Sequence, residues 1–383
     1  MTENEPNLFA TDPPAESEST KSRDASEPAA STAGDESSNA SESSHAADRP
    51  SHADAETSHT EPPSDDNTAA PSGRVLIGTA GWSYKDWEGV VYPASLKKEK
   101  HPVEYMAEYF DLIEINSSFY GHIRPEHGRL WCRKARAVNP GFIFTAKLNR
   151  AFTHSPVAVV ESTSAATIKA SAEDEALAKE GLDSIAVEGM LGALLMQFPI
   201  SFKNTNENRD YLEALITRFR HYPLAVEVRH SSWTNEGILR YFAERSVSFV
   251  NIDQPRLGKA ITGTQHVTAP FAYIRLHGRN YDQWFTAEKP EDRYNYLYTA
   301  KELEGWKTKI EEVAKKAPTT YVVTNNHYLG KAAVNGLQLK SMITHKPVKV
   351  PTTLKKEYWE LDEIAEDKGA ADEPKPARKR KTG

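Results

Sequence analysis

The chain has 383 residues, of which 38% are hydrophobic and 26% charged, with a formal net charge of −7 and a single cysteine, Cys132. One cysteine excludes an intrachain disulfide framework, and no run of 18 apolar residues exists to span a bilayer. The first ten residues, ending Leu8-Phe9-Ala10, are acidic and lack the apolar core of a secretory signal. The expectation is a cytoplasmic protein that contacts no membrane.

Composition divides the chain into three. Residues 1–72 are built from Ser, Ala, Glu, Asp, Thr, Pro and His, with sixteen acidic and three basic side chains. Such a segment buries too little apolar surface to offset its chain entropy and reads as a disordered acidic tail. The −7 therefore splits into −13 in the tail and +6 in the rest. Residues 73–350 carry the apolar periodicity of a folded domain. Residues 351–383 are polar and end in the basic run Arg378-Lys379-Arg380-Lys381, read as a solvated tail, with nucleic-acid contact or an address as the other reading.

Eight short apolar runs within the middle segment read as strands. They begin with 75–82 (Val-Leu-Ile-Gly-Thr-Ala-Gly-Trp). The others are 112–116, 142–147, 192–198, 224–229, 248–253, 271–277 and 321–326. Helical spacing fills the gaps. Pro102 and Pro125 stand at first-turn positions of helices over 102–110 and 125–138. Residues 167–188 are rich in Ala, Glu, Leu and Lys. The 206–219 segment repeats Tyr211, Leu212, Leu215, Ile216 and Phe219, and 235–245, 300–316 and 331–343 complete the set. Only 254–270 lacks a helix. Eight strands alternating with helices over about 270 residues predict an α/β fold, a (β/α)8 TIM barrel with a tail at each end. An open doubly wound sheet is the alternative, but Gly78-Thr79-Ala80-Gly81 is not the GxGxxG of a dinucleotide site.

In such barrels the site lies at the C-terminal ends of the strands. Here those ends carry Trp82, Glu114 with Asn116, Lys147, Gln197, Glu227 with Arg229, Asn251 with Asp253, Arg275 with His277, and Asn325 with Asn326. A buried charge without a partner costs several kcal/mol, so these groups either pair or line a wet pocket. A salt-bridge network that only ties strands together is the plainer reading. The functional reading makes Glu114 or Glu227 a general base and His277 an acid, with Arg229, Arg275 and Lys147 as a clamp for a carboxylate or phosphate. Asn325 and Asn326 could donate to a developing oxyanion. Lys147 as a Schiff-base nucleophile would need a lowered pKa. No cofactor motif is present. A divalent metal would have to draw on Glu114, Glu227, Asp253, His230 or His277, and no compact motif such as HExxH supports it. Cys132, beside Trp131 in a helix, reads as packing.

Aromatic residues also cluster in the loops. Trp82, Tyr84, Trp87 and Tyr92 follow the first strand, and Phe119 and Tyr120 the second. Tyr281, Trp284, Phe285, Tyr294, Tyr296 and Tyr298 follow the seventh. Packing over the barrel mouth and stacking on a base or sugar are the two readings.

Several of these segments recur in a known order. They are Gly78-Thr-Ala-Gly-Trp82, Glu114-Ile-Asn116-Ser-Ser-Phe119-Tyr120, Phe144-Thr-Ala-Lys147 with Thr153-His154, and Gln197-Phe-Pro199. Glu227-Val-Arg229-His230 with Trp233, Arg275-Leu-His277-Gly278 and Asn325-Asn326-His327 follow. This string resembles the YecE-like family, a domain of unknown function, over about residues 74–345. The resemblance implies a TIM barrel and no assigned reaction. It adds Tyr120, His154 and His230 to the candidate ligand-binding positions. The expectation is an enzyme, hydrolase- or lyase-like, acting on a small anionic or phosphate-bearing substrate by acid–base chemistry. A non-catalytic nucleic-acid or ligand binder is the alternative, and a scaffold presenting its tails a third.

Overall fold

The computed structural model describes residues 73–96, 100–154, 170–281 and 290–366. Both the acidic N-terminal segment and the basic C-terminal run lie outside these residues, as do Trp284 and Phe285. Among the described residues, eight strands follow in chain order: β1 (Arg74–Ala80), β2 (Leu112–Ile115), β3 (Ile143–Lys147), β4 (Leu191–Gln197), β5 (Leu224–Glu227), β6 (Ser248–Asp253), β7 (Phe271–Leu276) and β8 (Thr319–Thr324). Each pairs in parallel with its sequence neighbour, and β8 pairs with β1 to close the barrel. Nearly every strand residue is buried because side chains fill the barrel on one face and meet helices on the other.

The helices are α1 (Pro102–Met106), α2 (Pro125–Val138), α3 (Arg150–Thr153), α4 (Ala172–Ala186), α5 (Asn206–Phe219), α6 (Glu236–Glu244), α7 (Ala300–Ala314), α8 (Lys331–Thr344) and α9 (Thr352–Glu357). Their starts are chemically marked. Pro opens α1 and α2, and reciprocal capping boxes open α4 (Ser171 with Asp174) and α7 (Thr299 with Glu302). The five apolar residues read on α5 are all buried. Residues 254–270 form no helix, as their composition suggested. The α1 helix stops at Met106 rather than Phe110 because the chain tightens into three-residue turns, Glu108 N–H to Tyr105 O and Tyr109 N–H to Met106 O.

Packing continues past position 350, where the apolar pattern weakens. Leu354, Leu361 and Ala365 are buried, and Val348 exchanges backbone hydrogen bonds with Ile364 and Glu366. The Thr353 hydroxyl donates to Val91 O in the β1 loop. Among the described residues no helix is long and apolar enough to cross a membrane.

Cys132 is buried on α2, and burial pushes its thiol up to about 12. A thiol without thiolate character does not react at neutral pH. The native protein is expected to resist a thiol-specific chromogenic reagent, and the urea-unfolded chain to release one equivalent of chromophore. Prompt reaction of the folded protein would contradict this packing.

Candidate functional site

Strand parity decides which strand-end side chains share the barrel interior, since alternate residues point to opposite faces. Register places Glu114 beside Ala80 and Thr145, Gln197 beside Glu227, and Arg275 beside Ile252 and Val323. Glu114, Thr145, Gln197, Glu227, Tyr273 and Arg275 are thereby inward. Arg229, His277 and Asn325 continue the same parity just beyond the ends of β5, β7 and β8.

The centre of the site is the Arg275 guanidinium, 1% exposed and bonded to three strands. Its Nη1 donates to Glu227 Oε2 at 2.5 Å and Gln197 Oε1 at 3.3 Å, and Nη2 donates to Glu114 Oε1 at 2.6 Å. Glu114 Oε2 accepts from the Tyr273 hydroxyl at 2.8 Å. With that proton committed, Tyr273 accepts in turn from Thr145 Oγ1 at 2.7 Å. Glu227 Oε1 accepts from Arg229 Nε at 3.0 Å. His277 Nδ1 lies 2.9 Å from Asn325 Nδ2. The amide nitrogen donates, so Nδ1 accepts and the imidazole proton sits on Nε2. Nε2 is 3.3 Å from Glu227 Oε1 but off the line of a hydrogen bond.

Electrostatics modify the roles expected from sequence. Burial by itself would raise the Glu227 carboxyl, but the charges of Arg275 and Arg229, joined by His277 once acid protonates it, outweigh it and hold Glu227 well below the usual carboxylate range. Glu227 is therefore an occupied anion at rest. Burial, reinforced by Arg275 and Arg229 against the pull of Glu227, lowers His277 to about 4. The reading of His277 as the acid of the site is narrowed: at neutral pH it is a neutral imidazole, with only its Nε2 proton to give. Arg275 does not form a two-pronged anion clamp either, because both its terminal nitrogens are bonded to carboxylates, and those carboxylates raise its pKa further.

Parity also removes residues from the centre. Asp253 shares a face with Asn251, but Ile252 is the residue opposite inward Arg275, so Asp253 points to the helix layer. There it meets Arg279 Nε at 2.8 Å and Thr262 Oγ1 at 3.2 Å, and Arg279 continues to Glu302 at 2.9 Å. Asn326, one step from inward Asn325, donates to Tyr296 O and to Asn335 Oδ1 on α8. His230 caps the short turn Ser231–Trp233, with Nδ1 accepting from Ser232 N at 3.2 Å. Lys147 lies at the rim, its Nζ 3.8 Å from the Phe119 ring centroid, and His154 packs edge-on to the same ring at 4.9 Å. Tyr120 faces Arg150 at 6.0 Å, and Trp82 stacks edge-on against Trp131 at 5.1 Å.

Sequence reasoning missed Tyr273, Thr145 and Tyr84. Tyr273 and Thr145 each precede a chosen residue by two positions, so period-two parity could have found both. The Tyr84 hydroxyl donates to Ala80 O at 2.5 Å and accepts from the Asn116 amide. Most of the loop aromatics are consumed by packing: Trp82, Trp87, Tyr92, Phe119, Tyr294 and Tyr298 are buried, and Trp87 Nε1 donates to His327 O. Tyr281 is 47% exposed. Among the described residues no group of three His, Cys, Asp or Glu side chains is arranged to hold a metal ion.

The chain is similar to proteins that share this barrel. A Bacillus subtilis protein, UPF0759 protein YunF, is 25% identical over 283 residues, covering 70% of this chain and 94% of its own. The crystal structure of a DUF72 family protein from Thermotoga maritima is 34% identical with a TM-score of 0.59, covering 71% of this chain and 99% of that one. A DUF72 family protein from Enterococcus faecalis is 25% identical with a TM-score of 0.60, covering 70% and 95%. The family model described as "Protein of unknown function DUF72" matches residues 76–358, which takes in β2 to β8, all of β1 but its first two residues, and every residue of the Arg275 network. The chain belongs to the DUF72 family.

Proposed function

We propose that this protein is an enzyme acting on a small anionic substrate by proton transfer at the C-terminal mouth of the barrel. The observation that carries the reading is the grouping of Glu114, Gln197, Glu227, Arg275, His277 and Asn325, from five strands, around one guanidinium. A purely structural tie needs one ion pair; this centre holds two carboxylates, two guanidiniums and a neutral imidazole, the mixed set that acid–base catalysis uses.

Arg229 is the more exposed cation of the set, with a side chain 17% accessible and one bond to Glu227 through Nε. An arriving anion competes with Glu227 for Arg229. Losing part of its positive surroundings raises the proton affinity of Glu227, so binding itself readies the base. His277 offers Nε2–H as a neutral donor to the group that gains charge. A cytoplasmic location, matching the single buried thiol, completes the reading.

Inorganic phosphate is a suitable first probe. Thermal unfolding of the full chain is expected to shift upward with phosphate, by the equivalent of about 2.7 kcal/mol at one hundred times its Kd. Arg229→Gln should lose the shift, and Glu227→Gln should keep it. No shift with phosphate or with simple carboxylates, or a shift undiminished in Arg229→Gln, would overturn the anion reading.

A further inference from the structure

Three buried polar atoms at the centre of the site lack an aligned partner: Arg275 Nε, His277 Nε2 and Asn116 Oδ1. Buried polar atoms in native proteins are bonded in roughly 90% or more of cases. Three exceptions at the strand ends that Glu114 and Arg275 tie together mark a place that something other than the protein completes.

Their directions agree. Arg275 lies on β7, and His277, one residue past its end, continues the same inward parity. Within a guanidinium, Nε–H and Nη2 lie along one edge. Since Nη2 is held by Glu114, the free Nε–H opens toward β2. Asn116 stands two residues past Glu114, on the same side of that chain. Its amide orientation is fixed by Tyr84: the Tyr84 proton goes to Ala80 O, so this hydroxyl accepts from the Asn116 nitrogen. The Asn116 oxygen is left as a buried acceptor without a partner. Tyr84 itself lies within the fields of Glu114 and Arg275, which places Asn116 beside the same centre.

The unmet set is therefore two donors and one acceptor. A bare anion satisfies the donors and leaves Asn116 unanswered. We propose that the ligand of this site is a small hydroxycarboxylate. Its carboxylate receives Arg275 Nε–H and His277 Nε2–H, and its hydroxyl donates to Asn116 Oδ1. This rests on the reading of the site as one for anions, and adds the hydroxyl and the carboxylate as recognised groups.

The test is calorimetric titration of the full chain with gluconate and with hexanoate, two six-carbon carboxylates that differ in hydroxyl groups. Gluconate is expected to bind at least about ten-fold more tightly, since leaving a buried acceptor unpaired costs on the order of 1–3 kcal/mol. Asn116→Leu should bring the two together by weakening gluconate alone. Equal affinities in the native protein would overturn hydroxyl recognition and leave the anion site standing. Binding of inorganic phosphate but of neither carboxylate would overturn the carboxylate assignment. Failure of all three ligands would overturn the anion reading itself. The native comparison needs no variant, so a poorly folding Asn116→Leu leaves the test decisive.

Discussion

Replacing Arg275 with Met is expected to lower the unfolding free energy by about 3–5 kcal/mol, because Glu114 and Glu227 would stay buried without their shared counter-charge. Both carboxylates are 0% exposed and each bonds the guanidinium at 2.5–2.6 Å. Solvent cannot screen charges placed there, so the loss is far larger than for an exposed ion pair. At about 2–4 °C per kcal/mol for a large domain, the midpoint of thermal unfolding should fall by about 10 °C. The triple variant E114Q/R275M/E227Q keeps side-chain volume and removes both carboxylates together with their shared counter-charge, leaving only the partly accessible Arg229 without an ionic partner, so it should recover most of that loss. Urea and thermal denaturation of the two variants measure the difference. A single Arg275→Met with native stability, or a triple variant less stable than the single one, would show that charge balance does not organise this centre.

Stability is also expected to fall as pH drops from about 6.5 to 4, through His277. The folded site disfavours the protonated imidazole, lowering its pKa from 6.5 to about 4, whereas the unfolded chain protonates it normally. The unfolded state therefore binds more protons in this window, and stability is complete above it and lost as pH falls through it. At 1.36 kcal/mol per pH unit the loss is on the order of 3 kcal/mol. Glu227 adds a second, more acidic phase. Its folded pKa lies well below 4.5, so its contribution is present above the unfolded value and disappears as pH falls toward the folded one. His230 and His266 are lowered too and add the same sign. The measurement is thus a comparison: His277→Gln should flatten the pH 6.5–4 slope relative to the native protein while retaining the acid phase of Glu227. An unchanged slope in the variant would remove His277 as its source.

The two experiments probe one arrangement from opposite sides. Arg275 keeps Glu227 ionised in the barrel interior while bonding Glu114 on its other side, and that same positive charge, with burial, keeps His277 neutral. A site that holds Glu227 charged and its imidazole uncharged at neutral pH is set to respond to an incoming anion rather than to bulk protons.

Much of this was legible in the residues themselves. Short β-branched runs alternating with amphipathic segments specify strands and helices through local backbone preference and periodicity, and the strand count specifies the closed barrel. The position of Glu114, Glu227, Arg275 and His277 at strand ends follows from the same pattern, because a (β/α)8 barrel collects those ends on one rim. What sequence alone left open was the face on which each strand presents its polar residues. Asn251 and Asp253 are as polar and as terminal as Arg275 and His277, yet register turns them to the helix layer, and a one-residue difference separates inward Asn325 from outward Asn326. Register is set by pairing across the sheet, a property of two strands together. The protonation of the site was equally out of reach, since it depends on burial and on charges brought together from positions up to 161 residues apart. The chain thus encodes the barrel and its polar rim locally, while only tertiary closure selects the six inward groups that meet and fixes which of them carry charge.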